Sequence, residues 1–319
     1  MLPHTLTLLA LLVIASLFLF LCCRRKPAGA GFLPHRIGDS FTTLAALKAA
    51  LRAASLESCN LIVAIDFTKS NEWTGARSFG GRCLHTITPG APNMYERALA
   101  SIAAQLAEYD EDGLIPAYGF GDLSTRATAV FSFMPDDAPC AGLGEVLRRY
   151  RALAPRVALN GGTSFAPAIR KACALMAAAA QPPQYHILLL LCDGQVSDEC
   201  KADTVDAIVA ASSFPLSIVC VGVGDGPWGL MESLDDWDGG LAARRWDNFQ
   251  FVPYEATLAR ARRGAGAGAE DEAFALAALM EVPEGLAEIR RLGLLSARSP
   301  AVAPVRTLEP PDGGGGENR

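Results

Sequence analysis

Five oxygen-bearing side chains stand where they could hold a metal ion. Asp66, Thr68 and Ser70 are spaced two apart, directly after the strand-like run 60–65 (NLIVAI). Thr163 sits in Gly161-Gly162-Thr163-Ser164, and Asp193 follows a second apolar run, 187–191 (ILLLL), through Cys192. Carboxylates and hydroxyls are hard donors of the kind Mg²⁺ and Mn²⁺ take in near-octahedral geometry, with Ca²⁺ as a third candidate. In extended backbone, alternation places Asp66, Thr68 and Ser70 on one side of the chain. Only two carboxylates would leave the ion electrophilic. The set therefore suits binding an acidic side chain of a protein partner at an open position, and no residue is assigned a catalytic role. Taken singly, each residue has a plainer use: Asp, Thr and Ser are common helix N-caps, and Asp193-Gly194 is a common turn. Their joint placement after apolar runs favours the metal.

Those runs imply the elements that must position the five residues. Strands are expected at 60–65, 114–120, 129–133, 185–191, 216–221 and 248–252. Helical periodicity marks 40–54 (capped by Ser40), 94–109, 143–153, 165–180, 204–213 and 270–280. Near-continuous apolar strands alternating with helices read as an α/β fold, doubly wound, with a mostly parallel sheet flanked by helices. In such sheets sites form beyond the carboxyl ends of strands, at a topological switch point. Asp66 and Asp193 both lie at such ends.

Other chemistries find less support. The acidic run 110–112 lacks the spacing of an EF-hand loop. Gly222-x-Gly224-x-Gly226 lacks the glycine spacing of a dinucleotide site, and Pro227 suits a tight turn. Cys83-x-His85 invites a Cys/His dyad, yet no third group to orient it is identifiable. Trp73 and Trp228 read as residues that pack loops over the sheet. Nine cysteines are scattered without a Cys-x-x-Cys pair, as suits free thiols in a reducing compartment. A net charge of −6 excludes nucleic acid as an expected partner.

The N-terminus carries a different signal. Residues 5–23 (TLTLLALLVIASLFLFLCC) are uninterruptedly apolar, and Arg24-Arg25-Lys26 follow at once. That pattern reads as a transmembrane anchor with a basic flank (1–26), placing the domain at the cytoplasmic face of a membrane. A cleaved signal peptide, giving a secreted chain, is the rival, with Ala28-Gly29-Ala30 as its small-residue site. A linker is expected over 27–39, one domain over 40–283, and a disordered tail over 284–319.

Asp66-x-Thr68-x-Ser70, Thr163 and Asp193-Gly194 together resemble the metal-ion-dependent adhesion site of von Willebrand factor A domains. The wider text resembles the copines: residues 60–66, Tyr109-Asp110-x-Asp112, 115–121 (IPAYGFG), Gly161-x-Thr163-Ser164-x-Ala166-Pro167, and 215–224 (PLSIVCVGVG). Within that family, 66–73 (DFTKSNEW), 224–228 (GDGPW) and 247–252 (DNFQFV) are similar to the plant RING-domain ligases with a copine-like domain. The resemblance implies a von Willebrand factor A-like fold and a metal at those five residues. It also implies a link to the ubiquitination machinery. The two C2 domains of copines find no room in this sequence, and the residues after Val282 include neither Cys nor His to build a zinc RING. Ubiquitin-protein transfer is thus implied by kinship alone, and the chain is not expected to catalyse it by itself.

Overall fold

Among the described residues, the apolar runs at 60–65, 185–191, 216–221 and 248–252 become strands. In chain order the strands are Asn60–Asp66 (β1), Leu114–Ile115 (β2), Ala117–Phe120 (β3), Val130–Ser132 (β4), Cys140–Ala141 (β5), His186–Cys192 (β6), Leu216–Gly222 (β7), Phe249–Pro253 (β8) and Thr307–Leu308 (β9). The α-helices are Leu44–Ala53 (α1), Met94–Leu106 (α2), Gly142–Leu153 (α3), Ala166–Ala178 (α4), Lys201–Ala211 (α5), Gly229–Asp235 (α6), Tyr254–Ala265 (α7), Glu270–Leu279 (α8) and Val282–Arg291 (α9). The structure is a computed structural model. It describes residues 37–311 apart from 39, 55, 57–58, 111, 180–182, 236–242 and 266–268.

Seven strands form one sheet in the order β8-β7-β6-β1-β3-β4-β9. β8, β7, β6, β1 and β3 run parallel, β4 is antiparallel to β3, and β9 is parallel to β4. From β1 the chain moves outward through β3 and β4, then returns to place β6 on β1's other side. The order therefore reverses between β1 and β6, whose register runs from Asn60 opposite His186 to Ile65 opposite Leu191. Such a reversal opens a crevice at the carboxyl ends of the two strands.

Strand side chains alternate between two cores. Leu61, Val63 and Ile65 of β1 pack with Leu47 and Leu51 of α1, Leu99 and Ile102 of α2, and Phe274 of α8. Ile62 and Ala64 face the other way, toward Ile169 and Ala172 of α4 and Ile208 of α5. Helices on both faces explain why the central strands are apolar at successive positions, as in 61–65 and 187–191, rather than at alternate ones. Each buried Leu, Ile or Val contributes about 1.5–3 kcal/mol. The seven described cysteines, Cys59 to Cys220, are all free thiols.

Several expectations require correction. The apolar segment 5–23 lies outside the described residues. Among the described residues no helix is long and apolar enough to cross a membrane. The longest, α2 and α4, have 13 residues each. At about 1.5 Å per residue that is ~20 Å, against the ~30 Å of a bilayer core. The membrane-anchored, cytoplasm-facing placement is therefore withdrawn; the N-terminal apolar helix and the membrane contact expected of it fall on residues outside those described.

The linker expected over 27–39 is already packed at Ile37, which is buried and whose N–H donates to Asp247 Oδ2 at 3.1 Å. Thr43, not Ser40, caps α1, its Oγ1 accepting the Ala46 N–H at 3.2 Å. The strand expected over 114–120 divides at Pro116, which lacks an N–H, and β2 pairs with β5 in a separate small ladder. The tail expected over 284–319 departs from the structure through residue 311. There α9 buries Leu286 and Ile289 in the core, and β9 extends the sheet beside β4.

Candidate metal centre

β1 delivers Asp66 to the carboxyl edge of the sheet, fully buried. Its Oδ1 accepts the Thr68 N–H at 2.8 Å, a local bond that turns the chain as soon as the strand ends. Lys69–Glu72 then forms one 3-10 turn. The backbone does not stay extended to Ser70, so strand alternation is not what aligns the side chains. The turn does so instead, setting Thr68 Oγ1 and Ser70 Oγ 3.0 Å apart. Tight packing holds this bend. A Cβ on Gly121 (φ +82°) would lie 2.5 Å from Thr68 Cγ2 and 3.3 Å from Asp66 Oδ1.

Asp193 leaves the end of β6, also fully buried. Its Oδ1 accepts from Ser70 Oγ at 2.9 Å and from Thr68 Oγ1 at 3.3 Å, and its Oδ2 accepts from Thr74 Oγ1 at 2.6 Å. Asp66, Thr68, Ser70 and Asp193 thus form one cluster. Thr74 completes it, although the sequence reading passed over it. The available signal was its position four residues after Ser70, where its hydroxyl also reaches the Ser70 carbonyl at 3.0 Å.

Thr163 arrives on a separate loop that is pinned on both sides. Lys69 N–H donates to the Asn160 carbonyl, and Thr163 exchanges two bonds with Ser197, N–H to Oγ at 2.9 Å and carbonyl from N–H at 3.0 Å. Thr163, Thr68, Ser70 and Thr74 line the same cleft of about 260 Å³. Asp66 and Asp193 do not line that cleft; both are buried at the carboxyl ends of β1 and β6, and Asp193 is hydrogen-bonded to the Thr68, Ser70 and Thr74 that do line it.

Electrostatics make this cluster unusual. Burial, reinforced by the neighbouring Asp193 charge, raises the Asp66 carboxyl well above the usual carboxylate range. Burial also raises Asp193, against the lowering effect of hydrogen bonds from Thr74, Ser70 and Thr68. Among the described residues Asp66 Oδ2 is buried and makes no well-formed hydrogen bond, although the Thr68 hydroxyl and the Asp193 N–H also act on the carboxyl. Leaving such an atom unsatisfied costs about 1–3 kcal/mol. A cation would relieve both the repulsion and the orphaned oxygen. Among the described residues no group of three or more His, Cys, Asp or Glu could hold a metal. Any cage here must draw on hydroxyl and carboxylate oxygens, the donor chemistry that fits a hard divalent ion.

Beneath the cluster lies a buried network that fixes the Asp66 backbone. His85 Nε2 is 2.8 Å from the Asp66 carbonyl, and Nδ1 is 2.9 Å from Tyr150 Oη. A carbonyl only accepts, so Nε2 carries the proton and Nδ1 accepts from Tyr150. Tyr150 in turn accepts from Asn93 Nδ2 at 3.0 Å. The imidazole is sandwiched between Phe67 and Tyr95, with centroids at 4.4 and 4.6 Å. Burial drives its pKa down to about 3. With both nitrogens engaged, His85 is no base for Cys83, whose thiol burial pushes up rather than down. Its place is to position Asp66, together with Tyr95 and Asn71, joined by a 2.7 Å bond.

A sequence profile of the copine family matches residues 83–298. The chain is 47% identical over 286 residues to E3 ubiquitin-protein ligase RGLG5 of Arabidopsis thaliana, covering 86% of this chain and 64% of that protein. The chain belongs to the copine family. The resemblance carried by the motifs is thereby borne out. This copine-family chain is also 40% identical over 261 residues to Copine family protein 1 of Caenorhabditis elegans, covering 82% of this chain and 23% of that protein. It spans less than two thirds of the length of RGLG5 and of RGLG2, 64% and 60%. Manganese-loaded TRAP protein of Plasmodium vivax aligns at 12% identity with a TM-score of 0.42, over 65% of this chain and 73% of its own.

Proposed function

We propose that this copine-family domain is a protein-binding module that depends on a divalent cation. Asp66, Thr68, Ser70, Thr163 and Asp193 would hold Mg²⁺ or Mn²⁺. One observation carries the reading: among the described residues Asp66 Oδ2 is buried without a well-formed hydrogen bond, beside a second buried carboxylate. When bound, the ion supplies an electrophilic position open to an acidic side chain of a partner. The chain's own residues do the rest. The Thr68 N–H orients Asp66, the hydroxyls of Ser70 and Thr74 orient Asp193, and Ser197 holds the Thr163 loop against the cleft. Calorimetric titration of Mg²⁺, Mn²⁺ and Ca²⁺ into the full chain tests the assignment. Asp66→Ala is expected to abolish binding of the preferred ion, and equal affinity in both proteins would end the reading.

A second reading is favoured by the 47% identity to a plant E3 ubiquitin-protein ligase. Under it, the domain is the substrate- or partner-recruiting part of a ubiquitin-transfer system. Reconstitution with activating and conjugating enzymes discriminates the two. Ubiquitin transfer by this chain that survives Asp66→Ala would favour a ligase whose activity does not need the cation. Absence of transfer with retained cation binding favours the module.

A further inference from the structure

Three large hydrophobic side chains are exposed among the described residues: Trp73 at 58%, Leu123 at 55% and Leu114 at 43%. Leu114 lies at the amino end of the sheet, ahead of β3. The two more exposed ones both sit at the carboxyl end, around the candidate metal centre. Trp73 lines the cleft shared by Thr68, Ser70 and Thr163. Leu123 belongs to the loop leaving β3, and its N–H donates to the Ala158 carbonyl at 2.9 Å. The adjoining Asp122 bridges to Leu159, and the next residue, Asn160, takes the Lys69 N–H. The two loops are thus both held on one segment, 158–160.

Packing does not account for Trp73. Trp228, given the same reading from sequence, does pack: its ring lies 5.3 Å from that of Phe251. Trp73 departs from that expectation and stays in solvent. An isolated exposed apolar residue is ordinary. Trp73 on the cleft, with Leu123 exposed on a loop hydrogen-bonded to the same segment, makes an apolar edge, a rim at this end of the sheet, and Trp is prominent among residues that anchor protein interfaces.

Charge and size narrow what this rim accepts. Lys69 and Arg126 are exposed on the same two loops. Among the described residues neither has an ion-pair partner, and Glu72 is the exposed counter-charge on the first loop. Asp66 and Asp193 are buried, so their charge is not displayed. The cleft of about 260 Å³ is worth roughly eight or nine waters at about 30 Å³ each. That is room for an ion, part of its water shell and one side chain. A partner helix does not fit, whereas a protruding loop or an extended segment does.

Resting on the cation reading above, we propose that this rim docks a loop or extended segment of a partner protein. Its carboxylate enters the cleft, and apolar residues beside that carboxylate pack on Trp73 and Leu123. Selection of displayed random twelve-residue peptides on the full chain in Mg²⁺, eluted with EDTA, tests this. Recovered peptides are expected to carry Asp or Glu with an aromatic or branched aliphatic residue within two positions. Trp73→Ser is expected to weaken them at least tenfold, as roughly follows for truncating an aromatic anchor. Leu123→Ser is expected to weaken them less, and both variants are expected to keep wild-type Mg²⁺ affinity and melting temperature.

Failure has separable forms. If the wild-type chain binds no divalent cation, the cation reading falls. If it binds Mg²⁺ but yields no peptides, peptides without apolar flanks, or peptides indifferent to Trp73→Ser, the docking inference alone falls. Phosphatidylserine vesicles and sedimentation of the chain alone are run in the same buffer. Trp73-dependent binding confined to either would reassign the rim to lipid or to a second copy and overturn the proposal.

Discussion

Thr74 Oγ1 donates to Asp193 Oδ2 at 2.6 Å, across 119 residues of sequence. This bond supplies the second oxygen of a buried carboxylate that Ser70 satisfies only at the first. Thr74→Val keeps the shape and removes the donor. It is expected to destabilise the fold by about 1–3 kcal/mol, the cost of a buried acceptor left short of a partner. Thr74→Ser is expected to recover most of that. Urea denaturation in EDTA at neutral pH measures both.

Asp66→Asn makes a prediction of opposite sign for two observables. Burial and the Asp193 charge raise the Asp66 carboxyl, so its ionised form opposes folding at neutral pH. A neutral isostere keeps an acceptor for the Thr68 N–H and removes the repulsion. In EDTA, Asp66→Asn is expected to be at least as stable as wild type. In Mg²⁺ the order reverses. Wild type gains about 2.7 kcal/mol at a hundredfold excess over Kd, while the variant gains almost nothing. Parallel melts with and without Mg²⁺ check this, and a variant that gains as much as wild type would refute the ligand role.

How much of this was legible depended on distance in sequence. Asp66 and Asp193 were readable because each follows a run of apolar residues that could only be a buried strand, and strand ends collect sites. Thr74 was not, because nothing local says that its partner is Asp193. The alternation argument reached Thr68 and Ser70 for the wrong reason, since an Asp66-to-Thr68 bond and a 3-10 turn align them. The domain bound expected at 283 falls inside α9, because Pro283 stands near the start of that helix, where proline's missing N–H costs nothing. His85 looked like half of a dyad. Its stacking partners Phe67 and Tyr95, and its bond to Tyr150, come together only in the folded chain.

His85 also sets a pH dependence. Its folded pKa is about 3 against 6.5 for the free side chain. Between those values the unfolded chain binds a proton that the native state does not, so stability rises with pH there. The contribution is complete above about pH 6.5 and is lost as pH falls toward 3, with a slope of up to ~1.4 kcal/mol per pH unit. His186 is shifted in the same direction by burial, so a difference between proteins isolates His85. His85→Asn is expected to be less stable at pH 7 and to lose part of the slope between pH 6 and 4. Urea midpoints at half-unit steps provide the comparison, and parallel curves would refute it.

Gly121 links backbone conformation to the candidate centre. Its φ of +82° disfavours any side chain, and an added Cβ would press on Thr68 Cγ2 at 2.5 Å. The neighbour cannot simply swing away, because Thr68 is held by its N–H to Asp66 and its hydroxyl to Asp193. Relief requires either the Thr68 turn or the loop after β3 to move. Gly121→Ala is therefore expected to cost at least about 1–3 kcal/mol from backbone strain, and to weaken Mg²⁺ binding at least tenfold because Thr68 leaves its place between the carboxylates. Gly144→Ala is the control. It lies in α3 with no atom near its added Cβ, and is expected to stabilise by several tenths of a kcal/mol through helix propensity. Denaturation with Mg²⁺ titration on both variants reads the two effects, and a Gly121→Ala protein with wild-type affinity would show that the Thr68 turn does not set the centre.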